Sequence, residues 1–202
     1  MSAQTAGPAS RRETSSILIR PARADDAEAI ARVRVDSWRE TYRGMIPQSY
    51  LDAMQLDASR AMWEKVLNAG SNTVSVLVAE HGAEIVGFGS GNLLPEPKHG
   101  FTAELSAIYI RREFQHAGLG RRLVVETALS QRARGASSLI VWVIAGNKAA
   151  RAFYERLGAE LVIEQAFQWD GLDLVEAGYG WRSLDALTAD LPGPPPSGTV
   201  LQ

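Results

Sequence analysis

Two short apolar segments in the second half of the chain are each followed by a segment with helical periodicity. Residues 104–110 and 138–144 are rich in β-branched and aromatic side chains, which is typical of buried strands. Residues 118–134 and 147–158 then place apolar side chains at helical spacing, and Gly135 provides a C-terminal stop for the first helix. The alternation of strand and helix predicts an α/β domain.

The first half of the chain predicts one strand, two helical regions and a hairpin. Residues 17–20 form the strand, and Asp25 with Glu28 forms a capping box at the start of the first helix. The second helical region covers about 48–67, with a break around Leu56 and Asp57. The other predicted elements are a hairpin of strands 73–79 and 84–93, a loop over 95–100, and a terminal hairpin of strands 160–169 and 172–181 with Asp170 and Gly171 in its turn.

Both ends of the chain differ in composition from its middle. Residues 1–16 are small and polar, and the chain after Leu191 is rich in proline. We therefore expect disordered tails over 1–16 and 183–202, with one domain over 17–182. Since 46% of the 202 residues are apolar, that domain can bury a sizeable core.

Charge and cysteine content narrow the class of protein. The net charge is only −2 and no basic run occurs, so we expect neither a nucleic acid nor a membrane partner. The chain has no cysteine and only three scattered histidines, so we expect no disulfide and no metal. We expect a cytoplasmic protein.

The best candidate for a ligand site is a short glycine motif, Gln115, Gly118 and Gly120, at the expected N-terminus of the helix over 118–134. The first backbone N–H groups of a helix lack intrahelical acceptors and favour an anion, and glycine lets a phosphate approach closely. A P-loop would need a lysine followed by serine or threonine, and the dinucleotide fingerprint needs a third glycine. Neither is present, so the glycines form either a structural turn or a site for a pyrophosphate of another kind of ligand.

A second motif follows in residues 147–158. Asn147 can cap the helix, and Ala150, Tyr154 and Gly158 share its face with Asn147. That spacing would hold the Tyr154 hydroxyl where the helix meets the strand ends. A core tyrosine with a satisfied hydroxyl is the alternative.

Together the two motifs make the chain resemble the GNAT superfamily of N-acetyltransferases over about residues 17–181. The resemblance implies a mixed central sheet of six to seven strands, splayed between two central parallel strands and flanked by about four helices. It also implies acetyl-CoA as co-substrate. The residues expected to contact it are Ile108, Tyr109, Ile110, Gln115, His116, Ala117, Gly118, Leu119, Gly120, Arg121, Asn147, Ala150 and Tyr154.

The absence of cysteine rules out an acetyl-cysteine intermediate, so direct attack by a bound amine is the simplest route. The family resemblance suggests Glu104 as the base and Tyr154 as the acid that protonates the CoA thiolate. His116 is a poorer base because it lies in the anion loop, and an exposed strand-end glutamate is the alternative for Glu104. A bulge near residues 107–109 would free N–H groups for the oxyanion.

The first helices and the terminal hairpin should frame the acceptor, as they do in relatives. Trp38, Tyr42, Tyr50 and Trp169 are the candidate lining residues, and the acceptor is expected to be a small amine. Three acidic residues could bind a cationic amine or be solvated helix charges: Asp36, Glu40 and Asp52. The alternatives are a regulatory module that binds acyl-CoA, an acetyltransferase for protein N-termini or lysines, and an interaction protein on the same fold. The aromatic terminal hairpin would suit a homodimer interface as well as a core.

Overall fold

The computed structural model of the chain describes residues 17–188. Seven strands form one mixed sheet in the order β1-β2-β3-β4-β5-β7-β6. The strands are β1 (Ile17–Pro21), β2 (Val74–His81), β3 (Glu84–Lys98), β4 (Phe101–Ile110), β5 (Leu139–Ile144), β6 (Glu160–Trp169) and β7 (Leu172–Trp181). The α-helices are α1 (Ala27–Thr41), α2 (Gln48–Ala53), α3 (Leu56–Asn68), α4 (Leu119–Arg132), α5 (Lys148–Arg156) and α6 (Leu184–Thr188).

Helices cover both faces of the sheet, and two neighbouring residues of β2 show which helices lie on each face. Val78 is buried with residues of α1 and α3, whereas Ala79 is buried with Leu119 and Leu123 of α4. Since successive strand residues point to opposite faces, α1 and α3 lie on one face and α4 on the other. Helices α5 and α6 pack on the α4 side, where Tyr154 and Leu184 join the core.

The predicted fold class is confirmed, because the structure has a mixed seven-stranded sheet with one central parallel pair, β4 and β5. The described residues contain six α-helices rather than about four. The second predicted helical region divides into α2 and α3, with the break at Met54 and Gln55, and α6 follows β7.

The start of α1 differs from the predicted capping box. A 3-10 turn over Ala24–Asp26 precedes α1, and the Asp26 carboxylate accepts the Arg23 backbone N–H at 2.7 Å. The same carboxylate receives two hydrogen bonds from the Arg20 guanidinium, at 2.7 and 2.9 Å. Glu28 instead pairs with Arg32 one turn further along the helix. The sequence could not favour Asp26 because its partner Arg20 lies on β1.

The sequence predicts a loop over residues 95–100, but β3 continues to Lys98 and turns back into β4. His99 and Gly100 both have positive φ, 52° and 84°, as a tight two-residue hairpin turn requires. The resulting arm reaches β5, where the Lys98 ammonium lies 5.4 Å from the Trp142 ring centroid and the His99 ring lies 5.5 Å away. Two prolines suggested a loop, but they fall where β3 is not paired with β4.

The predicted start of the C-terminal tail at residue 183 is wrong, because α6 follows directly in the part of the chain that the structure describes. Leu184 and Leu187 of α6 are buried against the core on the α4 side. Five residues are too short to show a clear helical period, so sequence reasoning missed this helix. The expected disorder of residues 1–16 and of 189–202 concerns parts of the chain outside the described residues.

Gly180 of β7 lies directly against the Phe101 ring of β4, and this close contact yields a stability prediction. An added Cβ at Gly180 would collide with Cζ of the buried Phe101 ring. We expect Gly180→Ala to lower the free energy of unfolding by about 1–3 kcal/mol through overpacking. Gly146→Ala is the control, because a Cβ there meets no atom within 4 Å. Urea unfolding followed by tryptophan fluorescence measures both, and equal stability of the two variants would contradict the prediction.

Candidate active site

The central parallel strands separate after only three residue pairs. Residues 103–105 of β4 pair with residues 139–141 of β5, and beyond them the two strands no longer pair with each other. A bulge in β4 lies at this point, since Ser90 pairs with Ala107 while Gly91 pairs with Leu105. The bulged residue is therefore Ser106, next to the predicted position near residues 107–109.

The far end of β4 offers unpaired backbone groups on the side facing β5. The Arg111 N–H donates to the Val86 carbonyl of the β3 side at 2.9 Å. In an antiparallel pair, the N–H and C=O of one residue point to the same neighbouring strand, and those of the next residue point the other way. The backbone groups of Tyr109 therefore point to β3, as the Arg111 N–H does. The backbone groups of Ile108 and Ile110 point to the opening. The Ile110 carbonyl already accepts a hydrogen bond from Gln115 Nε2 at 2.8 Å, which ties the following loop to the strand end.

That loop ends in a helix N-terminus without a side-chain cap. Gly118 stands at the N-cap of α4 in a left-handed conformation, with φ 82°, and the first helical bond runs from the Arg122 N–H to its carbonyl. The N–H groups of residues 119–121 are consequently left without intrahelical acceptors. His116 also has positive φ, 60°, and the residues from Gln115 to Gly118 are exposed. The loop thus presents several N–H groups to an approaching anion.

The two motif glycines serve different physical needs. A side chain at Gly118 would have room, but the positive φ of this residue would strain the backbone of any residue other than glycine. A Cβ at Gly120 would lie 3.1 Å from Cζ of the Phe153 ring, so this glycine lets α4 and α5 approach each other across the opening. Of the two cations that follow, Arg122 donates to the Ile17 carbonyl of β1 at 3.1 Å.

Helix α5 holds Tyr154 at the opening. The buried Asn147 caps this helix as predicted, accepting the Ala150 N–H at 3.1 Å. The Tyr154 ring is buried against Phe153 and Trp181, at centroid distances of 5.1 and 6.1 Å. Within residues 17–188 the Tyr154 hydroxyl forms no hydrogen bond. Burial and then the nearby Tyr109 raise its pKa well above the ordinary value for tyrosine.

Glu104 stands on β4 within the last paired segment before the strands separate. Burial raises the pKa of its carboxyl, while the positive charge of Lys98 and a hydrogen bond with Trp142 act in the opposite direction. The carboxylate of Glu176 adds a smaller rise. These three neighbours come from the β3–β4 arm, β5 and β7, so no local sequence signal associates them with Glu104.

The four predicted acceptor residues lie together. The Trp38 ring lies 4.7 Å from Tyr42 and 4.5 Å from Trp169, and Tyr50 lies 6.2 Å from Trp169. Tyr109 packs against the same residues and was missed as a lining side chain. We call these five residues the aromatic cluster. Its polar groups include the Trp38 indole N–H, which is buried and has no hydrogen-bond partner among the described residues.

The acidic residues suggested for the acceptor lie elsewhere. Asp36 and Glu40 line a groove between α1 and the segment 111–113. Asp52 accepts a hydrogen bond from Gln48 Nε2 at 2.8 Å. Solvated helix charges therefore describe these carboxylates better than a site for a cationic amine.

Two features are absent from residues 17–188, the part of the chain that the structure describes. No group of three or more histidine, aspartate or glutamate side chains there could hold a metal ion. No helix in that part of the chain is long and apolar enough to cross a membrane.

Comparison with known proteins identifies the arrangement. The model of the acetyltransferase (GNAT) family matches residues 33–159. The uncharacterized N-acetyltransferase YuaI of Bacillus subtilis is 36% identical over 171 residues, which cover 85% of this chain and 96% of that protein. The spermidine N(1)-acetyltransferase of Thermoplasma acidophilum is 23% identical, with 71% of this chain and 88% of the relative covered.

A solved structure agrees with the sequence relatives. The PaiA N-acetyltransferase of Thermoplasma acidophilum, crystallised in complex with coenzyme A, superposes with a TM-score of 0.63. Its sequence is 25% identical, and the match covers 80% of this chain and 98% of that one. The predicted resemblance and the predicted enzyme class, an acetyl-CoA-dependent N-acetyltransferase, are thereby confirmed. The chain belongs to the acetyltransferase (GNAT) family.

Proposed function

We propose that this protein transfers the acetyl group of acetyl-CoA directly to the amine of a small molecule bound in the aromatic cluster. The observation that carries the proposal is the opening between β4 and β5, which two helices flank: α5, whose Tyr154 hydroxyl has no hydrogen-bond partner among the described residues, and α4, whose uncapped N-terminus approaches Phe153 of α5 at Gly120. The aromatic cluster contains Tyr109 of β4 and packs against Ile144 at the end of β5, and such a compact, partly buried set of rings favours a small acceptor over an extended protein surface. The spermidine acetyltransferase among the relatives also acts on a small amine.

The donor would bind along the open edge of β4. Its pyrophosphate would lie over residues 116–121, where exposed N–H groups and the helix dipole favour an anion. Its pantetheine amides would pair with the backbone of Ile108 and Ile110, as an added strand does. Asn147 and Ala150 would act by positioning α5, because their own hydrogen bond closes the first turn of that helix.

Transfer needs a base for the amine and a proton for the leaving sulfur. Glu104 would take a proton from the ammonium, directly or through water, and the free amine would attack the thioester carbon. As the C–S bond breaks, the Tyr154 hydroxyl would donate to the departing thiolate, and the proton that the nitrogen loses as the amide forms would return to the phenolate through water. Since burial raises the pKa of Tyr154, the phenol stays protonated near neutral pH and gives up its proton late.

The donor site can be tested with one pair of glycine variants. We expect Gly118→Asp to weaken acetyl-CoA binding at least about tenfold, because a carboxylate there repels the pyrophosphate. Gly135→Asp is the matched control. Gly135 also has positive φ with open space around it, but at the C-terminal end of α4. Calorimetric titration measures both variants, and equal affinities would contradict the assignment.

Tyr154→Phe separates catalysis from packing. We expect turnover at saturating acetyl-CoA to fall about tenfold or more. The free energy of unfolding should change by less than about 0.5 kcal/mol, because the lost hydroxyl makes no hydrogen bond. Tyr179→Phe is the comparison, since that hydroxyl bonds Arg151 and Glu155, and its loss should cost about 1–2 kcal/mol of stability. Unchanged turnover of Tyr154→Phe would remove the residue from the mechanism.

The role of Glu104 predicts a pH profile. Ionised Glu104 is the active form, so kcat/KM should fall as pH drops through a pKa above the ordinary glutamate value. Glu104→Gln should remove this acid limb and lower kcat/KM about a hundredfold. Glu176→Gln removes a charge that raises this pKa and should move the limb to lower pH. An acid limb that persists unchanged in Glu104→Gln would show that another group is the base.

The competing function is a regulatory module that binds acyl-CoA without catalysis. It predicts donor binding that Gly118→Asp abolishes, but no thiol release with any amine. The presence of a base and an acid candidate at the same opening favours the enzyme, since a module would need neither.

A further inference from the structure

Arg34 places a positive charge at the aromatic cluster. It lies on α1 one turn before Trp38, and its guanidinium carbon is 5.1 Å from the Trp38 ring centroid. The side chain is half-buried. Its charge therefore faces the rings that we propose to hold the acceptor.

Three other half-buried arginines have an anionic partner, whereas Arg34 has none among the described residues. Arg20 binds Asp26 at 2.7 Å, Arg151 binds Glu164 at 2.6 Å, and Arg111 pairs with Glu84. Among residues 17–188, Arg34 forms neither an ion pair nor a hydrogen bond. A partly desolvated guanidinium has five donors to satisfy, so a missing partner indicates a place for a ligand.

The charge of Arg34 acts on three tyrosines of the aromatic cluster. Burial raises the pKa of Tyr42, Tyr50 and Tyr109, and the positive charge of Arg34 opposes that rise at each of them. Asp170 acts on Tyr50 at the rim of the cluster and contributes to its raised pKa after burial.

We propose that the acceptor carries a carboxylate as well as its amine, and that Arg34 binds the carboxylate. This inference rests on the proposed function. A guanidinium can hold a carboxylate through two parallel hydrogen bonds, whereas a purely cationic polyamine would be repelled. The amine would then lie toward Glu104 and the thioester, on the same face of the sheet. The substrate class is an amino acid rather than a diamine or polyamine.

The test compares amino acids with their carboxamides, which keep the amine and the side chain but lose the negative charge. Thiol release with acetyl-CoA gives kcat/KM for each matched pair and for spermidine. Removing the carboxylate lowers the pKa of the amine and supplies more free base, so a preference for the acid must come from recognition. The variants are Arg34→Gln and Arg34→Lys. Arg32→Gln is the control, because Arg32 pairs with Glu28 on the exposed side of α1.

We expect at least one amino acid to be used about tenfold better than its carboxamide by the wild type. Arg34→Gln should abolish that ratio by raising KM for the acid alone, Arg34→Lys should retain part of it, and Arg32→Gln should match the wild type. Equal losses for acid and carboxamide, or a panel in which no amine with a carboxylate is acetylated, would overturn the inference. Calorimetry with acetyl-CoA on the same proteins tests the donor site separately, so failure of the proposed function would be recognised by lost donor binding.

Discussion

The early separation of β4 and β5 is the constraint on which the rest of the molecule depends. Two parallel strands that continue side by side would satisfy each other's backbone groups, and no ligand could enter between them. Here they pair over residues 103–105 and 139–141 only. The unpaired edge of β4 is short and is flanked by α4 and α5, so it is protected from pairing with another chain while it stays open to an extended ligand.

The bulge at Ser106 decides which side chains face each side of the opening. Leu105 is buried with α4, whereas Tyr109 packs toward α1, although both are odd-numbered residues of one strand. Without the extra residue, the period of two would place both on the same face. The bulge therefore gives Glu104 and Tyr109 a common face, while Tyr154 approaches from the other. Such an arrangement suits a direct displacement, in which the amine arrives from one side and the leaving sulfur is protonated from the other.

The sequence predicted those parts of the structure that local patterns specify. The strand–helix units around Gly118 and Asn147 follow from hydrophobic period and capping, and Asp170 with Gly171 specified a turn that the structure contains. Four aromatic residues could be grouped in advance only through the family resemblance. The bulge, the β3–β4 arm and the surroundings of Glu104 depend on contacts between distant strands. Single-sequence patterns do not report such contacts, and Arg34 was missed because a charge on a helix is ordinarily solvated.

The arm explains how the buried carboxyl of Glu104 could act as the base that we propose. Burial alone would raise the pKa of Glu104 and strengthen its affinity for a proton, but too large a rise would leave it protonated at neutral pH. Lys98 opposes that rise, and its contact with the Trp142 ring keeps its ammonium near the carboxylate. The hairpin, which the sequence predicted to be a loop, therefore lowers the pKa of the proposed base through Lys98. If β3 were shorter, burial and Glu176 would still raise the pKa of Glu104, but Lys98 would no longer oppose that rise.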